Sequence, residues 1–409
     1  MAYSEQWNGY VAIKAQSGKG TPASGAGGLI LWTSGGQGGQ LTKQAVQSQL
    51  VRHDAQQLRG RHGSRRTAGV YNSELAIGRA DPVLEAIMRS AWSTADLTAT
   101  QTDMTSVTTT TSAIVAAAGD WIAKGFRVGD VIRATGLTDA ANNGQNLRIV
   151  GLTTSTITVA ETLVANATPD TTFSIIRPGR VLLNGAAGAL TRSYFTVEEY
   201  EYDLDSSEVF SDCRWSRFVT RMQPDGLLDT EYSWTGTGAM DTATGAAAPV
   251  FTNPTDPTNI SLAATEAVIR MGSDDVLDLT SFDITLDLQP TAPNTISPGG
   301  LAPDVFLGTF QCAINLTMLR KDLQALADFE AETQLSLHLL SQSHDPAPAD
   351  FFSLVVPNFT LGSVAKSALS KAGGARTVTI GIPNELVGKD TRGGAFDATT
   401  VKMQVSNAT

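Results

Sequence analysis

Two cysteines in 409 residues, Cys213 and Cys312, are too few for a disulfide framework and read as buried thiols of a chain made in a reducing compartment. The four histidines, His53, His62, His338 and His344, have no His-x-x-x-His or Cys-x-x-Cys partner, which excludes the common zinc motifs. The opening residues, MAYSEQWNGY, lack a basic stretch followed by an apolar core. No apolar run approaches the ~20 residues needed to cross a bilayer. No secretion signal and no membrane contact are therefore expected, and cytoplasmic synthesis follows. Positive charge is scarce: 29 Lys and Arg stand against 40 Asp and Glu, a formal net charge of -11 that disfavours a chain-wide grip on phosphates. Glycine pairs at residues 18–20 and 236–238 lack the strand–glycine–helix setting of a phosphate loop. No motif joins a nucleophile to a base, and no spacing sets two carboxylates across a cleft. The expectation is a protein that is not an enzyme and needs no cofactor or metal.

What is present is small and β-prone. Charged residues make up 17% and hydrophobic ones 42%, with Thr, Ala, Ser and Gly abundant, a balance that suits a mainly β fold. Residues 7–15 alternate, residues 17–28 are rich in Gly and Ser, and residues 29–32 are apolar, a strand–loop–strand signal. Asp81 as N-cap and Pro82 at the first helical position predict a helix with Val83, Leu84, Ile87, Met88 and Trp92 on one face. A second helix is predicted over residues 320–330, with Leu323, Leu326, Ala327 and Phe329 inward and Asp322, Asp328 and Glu330 outward. Residues 93–112 hold few large apolar side chains and read as a linker. Residues 113–177 carry short strands between Asn-Gly and Gly-Asp turns and read as a small barrel-like β unit. Longer alternating strands are predicted at 193–202, 215–222, 226–236, 275–288, 308–319, 334–340, 351–356, 377–382 and 400–405. The division is a discontinuous core, 1–95 and 180–409, interrupted by an inserted small β domain at 113–178.

Two charged features stand out. Residues 40–66 read as a long polar loop in which Arg52, Arg59, Arg61, Arg65 and Arg66 face the single acid Asp54. Without interleaved aromatics for base stacking, docking on a partner subunit is favoured over nucleic-acid binding or a plain solvated loop. The second feature is the run from Glu198 to Asp203. On a strand, Glu199 and Glu201 share one face while Glu198 and Tyr200 take the other, so a metal cluster is disfavoured against a solvated or channel-lining strand. Ser273, Asp274 and Asp275 lack the register of a calcium loop and read as a turn.

The order of these features resembles the tail tube proteins of long-tailed bacteriophages. Its carriers are GVYNSELAIGRADPVLEAIMRSAW after the basic stretch, SYFTVEEYEYDLDSSEVFSDCRWSRFVTRMQPDGLLDTEYSWTGTG, and the closing segments GTFQCAINL, FFSLVVPNF and TVTIGIP. The inserted GDWIAKGFRVGDVIRATG with NNGQNLRIV is similar to a small β module carried by larger members. The resemblance implies a β-sandwich or barrel core flanked by a helix, with six subunits closing into rings that stack into a tube of the virion tail, the conduit for DNA ejection. It implies the tape measure protein in the lumen, tail tip and tail terminator proteins at the ends, and DNA only in transit. Arg52, Arg59, Arg61, Arg65 and Arg66 become candidates for ring stacking; Glu198, Glu199, Glu201 and Asp203 become candidates for the lumen or a subunit contact. The insert is expected on the outside, because a channel of fixed bore has no room for it. Two alternatives stay open. One is another virion part, such as a head-decoration or spike protein. The other is a carbohydrate-binding protein using exposed Trp121, Trp215 and Trp234.

Overall fold

The computed structural model describes residues 3–296, 298–344, 347–371 and 373–406. Strands take up 45% and helices 9%, so the mainly β expectation from the weakly charged composition rich in Thr, Ala, Ser and Gly holds. Almost every strand pair is antiparallel, and three sheets account for nearly all of them.

The largest sheet has twelve strands and is organised by one long strand, Ser206–Met222. Its first half pairs with Phe195–Glu201 and Met240–Thr244; its second half pairs with Asp229–Gly236 and Leu279–Asp287. Between the halves the ladder slips, at Phe195/Val197 and at Trp215/Arg217, and Asp212 sits at φ 55, so the strand bends as it passes from one set of partners to the other. The second half lies in a continuous run of eight strands: Gly35–Val46, Arg61–Glu74, Asp229–Gly236, Ser206–Met222, Leu279–Asp287, Gln311–Leu319, Thr377–Ile382 and Ser363–Lys366. Alternation builds its two faces. Tyr71, Phe218, Tyr232, Trp234, Phe282, Ile284, Leu286, Ile314, Leu316 and Ile380 point into the core.

A six-stranded sheet closes that core from the other side, with Leu337, Leu339, Phe352, Leu354, Val356, Met403 and Val405 facing inward. Helix Asp81–Met88 packs on the long strand and buries Val83, Leu84, Ala86, Ile87 and Met88. Its cap differs from the expectation: Ala80 is the N-cap, and Asp81 lies inside the first turn, where its carboxylate pairs with Arg180 at 2.6 Å. A carboxylate at a helix start is favoured there by the helix dipole without capping it.

Residues 97–177 form an eight-stranded antiparallel sheet around a core of their own, centred on Trp121, Phe126, Ile132, Ile149, Ile157 and Ile175. The stretch read as a linker is part of it. Leu97–Thr100 pairs with Ser174–Arg177, Gln101–Met104 is a short helix, and Val107–Thr109 pairs with Ala113–Ala116. The Gly179 amide donates to Asp96 at 2.6 Å, so the incoming and outgoing chains run side by side.

The seam between this sheet and the six-stranded one joins an apolar patch, Val131 with Leu340 and Phe351, to a set of polar contacts. Gln404 donates to the Val131 carbonyl and accepts from the Val131 amide, at 2.9 and 2.8 Å. Lys402, almost wholly buried, lies 2.6 Å from both Asp130 and Asp397. Arg148 makes two bonds to Asp275, at 2.9 and 3.0 Å, besides its pair with Glu161. Asp275, read as a turn residue, is thus half of an ion pair across the seam. His338 is buried beside these cations and bonds Ser353 at 2.8 Å; burial, then Arg148, Lys402 and Arg270, hold its pKa well below the ordinary value.

Candidate assembly surfaces

The basic stretch is a loop only over residues 47–60, which hold Arg52 and Arg59; its two flanks are strands. Gly35–Val46 and Arg61–Glu74 pair from Gly35↔Asn72 to Val46↔Arg61, forming a hairpin closed by residues 47–60. Polar, Gly-rich sequence without alternation hid these strands, because the ladder is made by backbone groups and one face has no core to bury against. Residues 61–66, with 42–46 paired to them, run past the last residue paired to Asp229–Gly236, so the distal part extends about 20 Å beyond the sheet.

The root of the hairpin is fixed. Gly39 packs so closely on the Phe210 ring that a Cβ would overlap it, and the Gly39 amide donates to Glu199 at 2.5 Å. The Tyr71 hydroxyl donates to the same oxygen at 2.7 Å, and burial together with that carboxylate pushes the phenol well above its usual range. Arg65 Nε donates to the Gly238 carbonyl at 2.5 Å and Arg66 Nε to the Ala292 carbonyl at 3.0 Å. The five arginines therefore divide. Arg65 and Arg66 tie the arm to the body; Arg52 pairs with Asp54 at 2.7 Å near the tip; Arg59 and Arg61 are exposed and form no ion pair among the described residues. Residues 35–66 hold six bases and one acid. Val46, Leu50, Val51 and Leu58 are exposed along the distal part, Val51 completely.

The acidic run is dispersed, as its alternation implies. Glu198 does not face a channel: it is fully buried and accepts from Ser207 Oγ, the Val250 amide and the Phe251 amide at 2.5, 2.6 and 2.9 Å. A carboxylate so enclosed is the anchor of the 249–252 segment over the sheet, and the expectation of a lumen role fails for it. Glu199 serves the hairpin root. Asp203 accepts from the Glu5 amide and from Asn8 Nδ2 at 2.9 and 2.5 Å. Glu201 is half-exposed at the strand end, and Glu208 opposite Glu199 has its carboxyl pKa raised by burial and by Glu199 and Glu201.

A surface that sequence reasoning did not single out is the outer face of the eight-strand run. In one row across it stand Gly381, Asn315, Asp283, Arg221 and Asp229; in the next, Ala313, Thr285, Val219, Glu231 and Asn72. Glu231 holds Arg217 at 2.7 Å and Arg221 at 3.0 Å. Asp229, Glu231, Asp283 and Asp287 outnumber these two arginines, so this small-residue face is net negative. The alternation over residues 279–287 carried the signal. Both ends of the run, Gly35–Val46 and Ser363–Lys366, are sheet edges with no further strand among the described residues.

Among the described residues no group of three or more His, Cys, Asp and Glu could hold a metal. The carbohydrate reading fails on its own residues, since Trp121, Trp215 and Trp234 are all buried in cores. What remains is a two-edged β protein with a projecting charged arm, the form of a subunit built to join copies of itself. The family model described as Phage tail tube protein matches residues 178–383, just over half the chain, and the chain belongs to that family. It is thus a structural component of a phage tail, which replaces the alternative of a head-decoration or spike protein. No curated protein sequence matches it. The match begins after the eight-stranded insert and the hairpin, so both lie outside the matched span.

Proposed function

We propose that copies of this chain close into hexameric rings that stack into the tail tube, the conduit through which DNA is ejected. The observation that carries this reading is the eight-strand run, with one net-negative polar face and both edges open. Pairing of one subunit's edge with the opposite edge of the next is a head-to-tail contact that closes a ring and removes the edges from solvent. The polar face then lines the lumen in place of Glu198. A wall with more carboxylates than guanidiniums repels phosphates, so DNA slides along it without binding. The tape measure protein would occupy the same lumen during assembly, and tail tip and terminator proteins would cap the ends.

The distal hairpin is the ring-to-ring contact in this reading. Arg52, Arg59 and Arg61 carry it, while Arg65 and Arg66 aim the arm. Residues 1–95 with 180–409 are the tube core; the insert, with strands from residue 97 to 177, sits on the outside, held rigidly by the Lys402, Gln404 and Arg148 contacts. The test is negative-stain electron microscopy of the purified full chain, concentrated at low and high salt and with tail-tip proteins. Hollow stacked rings are expected. Ordered particles of any other geometry would remove the reading.

A further inference from the structure

The helix predicted over residues 320–330 forms as Gln324–Glu330, but inside out: only Ala325 is buried. Leu323, Leu326 and Phe329 are 59, 41 and 37% exposed at three-residue intervals. A short helix that turns its apolar residues to water gains nothing from them in the isolated chain. The start of the segment is mixed, with Arg320 and Lys321 beside Asp322, but from residue 323 to 332 it is acidic, with Asp328, Glu330 and Glu332 and no base. The helix packs beside Ser363–Lys366, one end of the eight-strand run. At the opposite end stands the hairpin, with six bases to one acid and Val46, Leu50, Val51 and Leu58 exposed. The two surfaces complement each other in charge and in apolar character, and one copy holds them at opposite edges.

We propose that the acidic, apolar ridge of residues 323–332 is the receptor for the distal hairpin of a second copy. The exposed leucines and Phe329 take the apolar residues of the tip, and Glu330 and Glu332 face Arg59 and Arg61. This rests on the reading of the chain as a self-assembling tube subunit and adds the acceptor that reading lacks. Neither glutamate makes a side-chain bond within the chain among the described residues, so reversing them leaves the fold intact. Such a contact combines apolar burial with charge pairing and weakens with salt.

The test uses the full chain under conditions where it forms tubes, scored by sedimentation and electron microscopy. Glu330→Lys with Glu332→Lys is expected to cut the pelleted fraction at least tenfold at low salt, with an unchanged thermal midpoint. Adding Arg59→Glu and Arg61→Glu to that variant is expected to restore assembly. An independent variant, Gln57→Cys with Ala331→Cys, is expected to give disulfide ladders on oxidation of tubes, since native Cys213 and Cys312 are buried. Tubes of wild-type yield from the glutamate variant, failure of the swap to restore them, or absence of ladders would each overturn this inference while leaving the tube reading in place. A wild-type chain that forms no tubes even with tail-tip proteins would overturn both.

Discussion

Replacing Glu198 with Ala tests whether this carboxylate is a structural anchor or a surface charge. It accepts three bonds, two from backbone amides of residues 250 and 251, in a site closed to solvent. Removing it leaves three buried donors, each costing about 1–3 kcal/mol when unpaired. Water entering the small void recovers part of this, so the expected loss is about 3–5 kcal/mol. At a urea slope of about 3 kcal/mol/M, the unfolding midpoint falls by roughly 1–1.7 M. Urea titration followed by tryptophan fluorescence reads it, since Trp215 and Trp234 sit in the same body. Glu198→Gln keeps one acceptor oxygen and is expected to lose about half as much. A change below about 0.5 kcal/mol for the alanine variant would show that the 249–252 segment is not held by this carboxylate.

Three other outcomes are expected. His338 is buried neutral, so in the window below the ordinary histidine pKa of about 6.5 the unfolded chain binds a proton that the folded chain refuses. Stability is therefore full above about pH 6.5 and falls at about 1.4 kcal/mol per pH unit as the pH drops toward the depressed folded value. Thermal unfolding of His338→Gln between pH 7 and 5 should lack that increment of slope. Gly179→Ala puts a Cβ onto the Val405 carbonyl at a backbone φ of 74°, and calorimetry should show a loss of at least about 2 kcal/mol. Replacing residues 97–177 by a short Gly-Ser bridge is feasible because Asp96 and Gly179 are adjacent. The shortened chain should aggregate on a sizing column, because Phe351, Val355 and Lys402 lose their cover, and Phe351→Thr with Val355→Thr should restore monodispersity.

How much of this was legible in the sequence follows from how each element is stabilised. Strands such as Leu279–Asp287 and Thr377–Ile382 bury one face, so their apolar residues recur at every second position and declare them. The first half of Ser206–Met222 has Ser207, Ser211 and Asp212 buried together with Val209, Phe210 and Cys213, and with both faces covered no alternation survives. The hairpin failed for the opposite reason: its distal part covers nothing, and only the backbone ladder makes it a strand. Residues 97–109 are Thr-rich and read as a linker because short strands hide in a composition with so few large side chains.

The charged sites show a sharper limit. Val131 and Gln404 lie 273 positions apart, and Arg148 and Asp275 lie 127 apart, so no local spacing could pair them. Conversely, Glu198 and Glu199 are neighbours in sequence and were rightly placed on opposite faces, yet their roles depend on what arrives from elsewhere: residues 250–251 over one, Gly39 and Tyr71 over the other. A buried carboxylate is tolerated only where donors converge on it. Acid runs in a sheet protein therefore divide according to which loops and arms fold back onto each face, and only the carboxylates left without such donors remain to line a channel or meet a neighbouring copy. On the outer sheet face Asp229 is exposed and Asp283 accepts from its strand neighbour Asn315 at 3.2 Å, and on the ridge Glu330 and Glu332 make no side-chain bond among the described residues, whereas Glu198, Glu199 and Asp203 of the conspicuous run are taken up inside the chain.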